Sequence, residues 1–190
     1  MRSFVAVVPP EEVVEDLDDF LAVRREAASF RWTLPEHFHV TLAFVPELAE
    51  RHLDDLVERL QRAARRRHEV PTRIAGGGAF PDASRARVLY AGLELDEDGR
   101  TELSRAATGA RAAANRAGAE VSGGRFRPHL TIARIGRPQD VVRWVRLLEA
   151  YRGPAWTVDR IALVQSHLGE GPRKRPRYEV LETFPMGRRG

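Results

Sequence analysis

Apolar positions along this 190-residue chain change period several times, and each change predicts an element. A short apolar run, Phe4-Val5-Ala6-Val7-Val8, predicts an opening strand over residues 2–8. After Pro10, which suits a first helical turn, Val13, Val14, Leu17, Phe20 and Leu21 recur at helical spacing. A second amphipathic helix runs over residues 48–66, with Ala49, Leu53, Leu56, Val57, Leu60 and Ala64 as its stripe. Segments 70–75 and 87–95 alternate as strands around the turn material Gly76-Gly77-Gly78 and Pro81-Asp82, the glycines reading as a tight turn.

The second half repeats the theme. Residues 98–117 predict a helix whose buried face is small: Leu103, Ala106, Ala107, Ala110, Ala113 and Ala117. Another helix is expected over 139–150, with Val141, Trp144, Val145 and Leu148 on one side, and strands near 155–165 and 177–184 close the chain. Strands and helices mix without the regular alternation of a doubly wound sheet, so the fold class is α+β with two related lobes. The length fits a single domain spanning 1–190. The Gly/Pro loop 169–176 is the segment expected to move most.

Between these elements stand two near-identical tracts ninety residues apart: His39-Val40-Thr41-Leu42-Ala43 and His129-Leu130-Thr131-Ile132-Ala133. On a strand, successive side chains face opposite ways. Val40 and Leu42 would enter a core while His39 and Thr41 share the other face, and the second tract does the same. At this composition His-apolar-Thr-apolar is expected roughly 0.05 times per chain, so two copies outweigh one. Each alone would read as the wet face of a sheet. Strand parity places Arg134 on the Leu130/Ile132 face, so it reaches the same side as Thr131 only if the strand ends or twists there.

Composition narrows the chemistry. The chain has no cysteine, which excludes disulfides, a thiol nucleophile and thiolate metal sites. No apolar run approaches the roughly 18 residues that span a bilayer, so no membrane partner is expected and the cytoplasm is the default location. The net charge of +4 suits a phosphate-bearing ligand, although 30 of the 31 basic residues being arginine also fits a codon preference. His37 and His39 could form a metal pair, but no cysteine, Asp or Glu stands beside either histidine strand; no metal or cofactor is expected, and His37 reads as a flanking loop residue. His52 and His68 read as helix-surface residues, and His167 as a strand end near the basic loop. Arg65-Arg66-Arg67 ends a helix, where cations oppose the dipole favourably. Arg173-Lys174-Arg175 is a candidate contact for phosphates.

Imidazole titrates near neutrality, so one histidine can give a proton while another takes one. Hydrolysis of a cyclic phosphodiester, in which water loses a proton and the departing sugar oxygen gains one, is well matched to that pair, with hydroxyls and an arginine on the non-bridging oxygens. The motifs are too symmetric for the residues to say which histidine is the acid.

These tracts, with Phe4 to Val8, Arg31-Trp32, Gly78-Ala79-Phe80-Pro81, Arg127-Pro128 and Arg177 to Leu181, resemble the two-histidine (2H) phosphoesterase superfamily. Within it the chain most resembles the RNA 2′,3′-cyclic phosphodiesterase family, also called 2′-5′ RNA ligase. The resemblance implies a bilobal, pseudo-twofold fold of two antiparallel-sheet lobes flanked by helices, with a central cleft. It implies metal-independent opening of RNA or nucleotide 2′,3′-cyclic phosphates to 2′-phosphates, with reversible 2′-5′ ligation as an accompanying activity; a monomer is expected. His39 would be the proton donor and His129 the proton acceptor, with Thr41, Thr131 and Arg134 on the phosphate. The alternative is a non-catalytic RNA- or nucleotide-binding module of the same fold.

Overall fold

The structure, a computed structural model, describes residues 1–190. Nine strands, β1 (Ser3–Val7), β2 (Arg31–Trp32), β3 (Val40–Val45), β4 (Val70–Phe80), β5 (Ala86–Glu94), β6 (Leu130–Gln139), β7 (Trp156–Val158), β8 (Arg160–His167) and β9 (Arg177–Pro185), alternate with four helices. These are α1 (Glu11–Ala22), α2 (Leu53–Arg65), α3 (Glu97–Arg116) and α4 (Val142–Glu149). No helix is long and apolar enough to cross a membrane.

The strands lie in the order β7-β4-β5-β6-β3-β1-β8-β9, with β2 added beside β6. Outward from the β6/β3 seam the two halves match: β6-β5-β4-β7 on one side and β3-β1-β8-β9 on the other, all antiparallel. In chain order β1-α1-β3-α2 recurs as β5-α3-β6-α4. The halves thus relate by a pseudo-twofold at the seam, where one residue pair, Val40↔Leu130, joins them. One apolar core runs through both lobes, from Val5, Leu17 and Leu42 to Leu89, Leu130 and Ile132. The helices interlock the lobes: α3 lies on β3 and α2, while Asp16 of α1 accepts a 2.6 Å hydrogen bond from Tyr151 just beyond α4.

Several boundaries differ from the sequence pattern, each for a local reason. Gly76-Gly77-Gly78 is not a tight turn; it lies inside β4, which bulges between Ile74 and Gly77 with Gly76 at φ +71°. A Cβ on Gly77 would come within 2.5 Å of Leu148 Cβ, and one on Gly78 within 2.3 Å of the Tyr90 hydroxyl. The glycines let α4 and Tyr90 lie directly on the strand. Helix α2 begins at Leu53 rather than at 48, because the Leu48 amide and carbonyl are both bonded to Met1, at 2.9 and 2.6 Å. Likewise α4 begins at Val142 rather than 139, the Val141 amide being held by Ala83 O at 2.7 Å. Pro10 caps α1 with extended backbone instead of entering its first turn. The stretch 155–165 divides into β7 and β8. The loop 169–176 closes on itself: Gly171 N donates to Arg175 O at 2.7 Å around a 3-10 turn at Pro172–Lys174.

Candidate active site

The two His-x-Thr tracts enter the seam side by side. His39 and His129 each immediately precede their strands, and both line one cavity of about 330 Å³ with Thr41, Thr131 and Arg134. Burial alternates as the pattern requires: Val40, Leu42, Leu130 and Ile132 are buried, whereas Thr41 and Thr131 reach the cavity.

After each threonine the alternation breaks. Against β1, Thr41 pairs with Ala6 and Ala43 with Val5, leaving Leu42 as an inserted residue. Against β5, Thr131 pairs with Tyr90 and Ala133 with Leu89, leaving Ile132 in the same role. A bulge shifts side-chain parity by one. Ala43 and Ala133 are therefore buried like the residues before them, and Phe44 and Arg134 turn to the cavity. Simple parity puts Arg134 on the wrong face; the Ile132 bulge corrects it.

The histidines are held alike. Nδ1 of His39 lies 2.7 Å from the His37 carbonyl, and Nδ1 of His129 lies 2.6 Å from the Arg127 carbonyl. A carbonyl only accepts, so Nδ1 carries the proton in both rings and Nε2 remains for a ligand. Aromatic rings frame each imidazole. Phe4 stacks on His39 at 4.6 Å and Tyr178 meets it edge-on at 5.7 Å. Phe80 and Tyr90 meet His129 edge-on at 4.9 and 5.4 Å, and stack on each other at 4.6 Å.

Sequence reasoning assigned those rings no role, although Phe4, Phe80 and Tyr178 lie in the segments that carry the resemblance. It also missed Arg2 and Arg31 as lining residues, whereas Arg175, one of the three basic-loop residues expected to contact phosphates, does line the cavity. His37 is not peripheral: its ring lies 4.3 Å from that of Tyr178, inside the cleft. From the basic loop, Arg175 is fixed across the cleft by donating to the Trp32 carbonyl. His167 instead pairs with Glu179 at 2.9 Å, outside the cavity lining. Arg67 of the arginine run pairs with the buried Glu102 at 3.3 Å. His68, expected on a helix surface, instead lies past the end of α2 in a β-bridge with Gly187 and meets Asp98 of α3 at 3.3 Å.

Four arginines and no carboxylate line the cavity. Burial lowers the His39 pKa from its usual 6.5; its backbone hydrogen bond opposes this, while the charges of His37, His129 and Arg134 add to it. Burial likewise lowers His37, with Arg175 contributing in the same direction. These surroundings favour the neutral form of His39 and an incoming anion. No group of three or more His, Cys, Asp or Glu side chains is arranged to hold a metal ion.

Comparison with known proteins decides the family. Residues 7–90 and 93–173 match the profile described as LigT like Phosphoesterase. The chain belongs to the LigT-like phosphoesterase family. Among proteins of known name, an RNA 2′,3′-cyclic phosphodiesterase of Thermus thermophilus is 32% identical over 192 residues, covering 98% of this chain and 90% of that protein. Another of that name, from Aquifex aeolicus, is 30% identical and covers 83% of this chain and 82% of its own. The crystal structure of TT0787 of Thermus thermophilus superposes with a TM-score of 0.78 at 32% identity, over 100% of both chains. E. coli LigT complexed with 3′-AMP, at 22% identity and 97% coverage of each chain, shares the LigT-like fold with a TM-score of 0.76.

Proposed function

We propose that this phosphoesterase opens 2′,3′-cyclic phosphates at RNA ends or on nucleotides to 2′-phosphomonoesters, its 190 residues acting as one bilobal unit. The observation that carries the reading is the matched pair of imidazoles, each with Nδ1–H spent on the carbonyl two residues back. One cleft therefore holds two proton-transfer groups from opposite lobes, with hydroxyls and guanidinium groups between them. The named relatives, RNA 2′,3′-cyclic phosphodiesterases at 32% and 30% identity, support the substrate class.

In the proposed reaction His129 Nε2 takes a proton from water as the water oxygen bonds to phosphorus. The bond from phosphorus to the 3′ oxygen breaks, and His39 Nε2–H protonates that oxygen. The products are a 2′-phosphomonoester and a free 3′-hydroxyl. Thr41, Thr131 and Arg134 bind the non-bridging oxygens, whose charge grows in the transition state. Burial and neighbouring positive charge favour neutral His39, and the phosphodiester anion offsets those charges and raises its basicity, so the ring takes up its proton as substrate binds. With histidines for proton transfer and arginines for charge, the reaction needs no metal ion. With a 5′-hydroxyl in place of water the same step joins two ends through a 2′-5′ linkage as the bond to the 3′ oxygen breaks, and its reverse cleaves that linkage back to the cyclic phosphate.

The test is product analysis on an oligoribonucleotide ending in a 2′,3′-cyclic phosphate, with excess chelator present. A 2′-phosphate product at undiminished rate is expected. A 3′-phosphate product, loss of rate with chelator, or binding without turnover between pH 5 and 9 would overturn the reading.

A further inference from the structure

The pseudo-twofold leaves one place in the cleft unmatched. Phe44 and Arg134 each stand five residues after their histidine, beyond equivalent bulges, and both reach the cavity. One lobe therefore offers a guanidinium to a phosphate where the other offers a phenyl ring, which has no donor.

Arg2 lies over that ring. Its Cζ sits 4.4 Å from the Phe44 centroid, and its side chain lines the same cavity as His39, His129 and Arg134. Two positions before Phe4, it projects from the same strand face as the ring that stacks on His39. Its backbone is fixed: the Arg2 carbonyl accepts from Ser166 N at 2.9 Å, and Met1 beside it is bonded to Leu48 through both amine and carbonyl. Arg2 and Arg134 both act electrostatically on the Tyr178 hydroxyl, each opposing the rise that burial causes there, so the two cations address one space. A guanidinium stacked by its face keeps its in-plane N–H donors for an anion.

We propose that Arg2 is the second phosphate-binding guanidinium of this site, positioned by Phe44 and standing in for the arginine that symmetry would place there. The ligand is the phosphate group itself, as cyclic diester or monoester, not the base. The assignment rests on the cyclic phosphodiesterase reading only for the identity of the substrate. Two cations approaching from opposite lobes would then bracket the non-bridging oxygens, although the His-x-Thr motifs supply only one.

The experiment compares wild type, Arg2→Gln, Phe44→Arg and the double variant, reading inorganic phosphate affinity, KM and kcat on a 2′,3′-cyclic nucleotide, and melting temperature. Loss of a charge-assisted hydrogen bond is expected to weaken phosphate binding by about tenfold in R2Q and to raise KM similarly, with melting unchanged. Phe44→Arg in the R2Q background supplies a guanidinium from the symmetric position and is expected to recover most of that loss. Phosphate affinity in R2Q equal to wild type would overturn the proposal. So would a double variant that melts normally but recovers nothing, since Arg2 would then act other than through the phosphate. If wild type fails to open cyclic phosphates yet R2Q still loses phosphate affinity and Phe44→Arg restores it, the activity reading fails and the Arg2 assignment stands.

Discussion

Leu42 and Ile132 are the same residue twice: each is the extra member of a bulge that follows a His-x-Thr unit and turns its strand over. Because of Ile132, Thr131 and Arg134 face one cavity although two residues stand between them, a spacing that regular alternation would put on opposite faces.

Arg134 is therefore expected to act on the phosphate. Arg134→Ala should lower kcat/KM by about 10- to 100-fold, the worth of a charge-assisted contact. Arg134→Lys should recover only part, because an ammonium cannot make the forked contact. Steady-state kinetics on a cyclic nucleotide decide this, and an unchanged R134A would remove the residue from the site.

The two imidazoles should act as a unit. His39→Ala and His129→Ala are each expected to cost about 10²- to 10⁴-fold in kcat, and the double variant to fall well short of the product of the two losses. Additive losses would show that the two rings serve separate steps.

Protonation of His39 should be linked to ligand binding. In the free protein its imidazole is expected to titrate below 6.5, because burial disfavours the cation, and to move upward when phosphate is added. Proton NMR of the ring follows both, and a midpoint that ignores phosphate would contradict the coupling.

Stability carries the same sign. Between the lowered folded value and the ordinary unfolded one near 6.5, the unfolded chain binds more protons. The stabilising contribution is complete above that window and is lost as pH falls through it. His37 shifts in the same direction. Thermal melts at pH 7.5 and 5.5 should therefore show a smaller loss on acidification for His39→Gln than for wild type.

Packing gives a further expectation. Gly77→Ala sets a methyl against Leu148 of α4 and Gly78→Ala sets one against Tyr90, each a small-to-large change costing about 1–3 kcal/mol. Gly78→Ala should also lower turnover, because Tyr90 stands against His129. Chemical denaturation and kinetics together separate the two effects.

Local patterns made much of this readable. Both motifs, the face that Thr41 and Thr131 share with their histidines, and the central turns of all four helices follow from period and composition. What stayed hidden depends on distant contacts. A bulge inserts a residue whose type is ordinary; nothing in Leu42 or Ile132 differs from a regular core residue, and only the partner strand shows that parity has shifted. Gly76-Gly77-Gly78 has turn composition, yet α4 and Tyr90 make those positions strand. Arg2 and Tyr178 reach the cleft because β1 lies between β3 and β8, with β9 beyond, an order that no local pattern encodes.

The seam has a mechanical consequence. Strands β3 and β6 pair only at Val40 and Leu130, and the residue before each is a histidine. Displacements about a pivot grow with distance from it, so twisting one lobe against the other moves β7 and β9 most and the imidazoles least. The spacing between the two rings is therefore expected to change least when the rest of the sheet distorts. Under the proposed function, changes in the outer strands and loops are expected to leave the spacing of the two imidazoles unaltered.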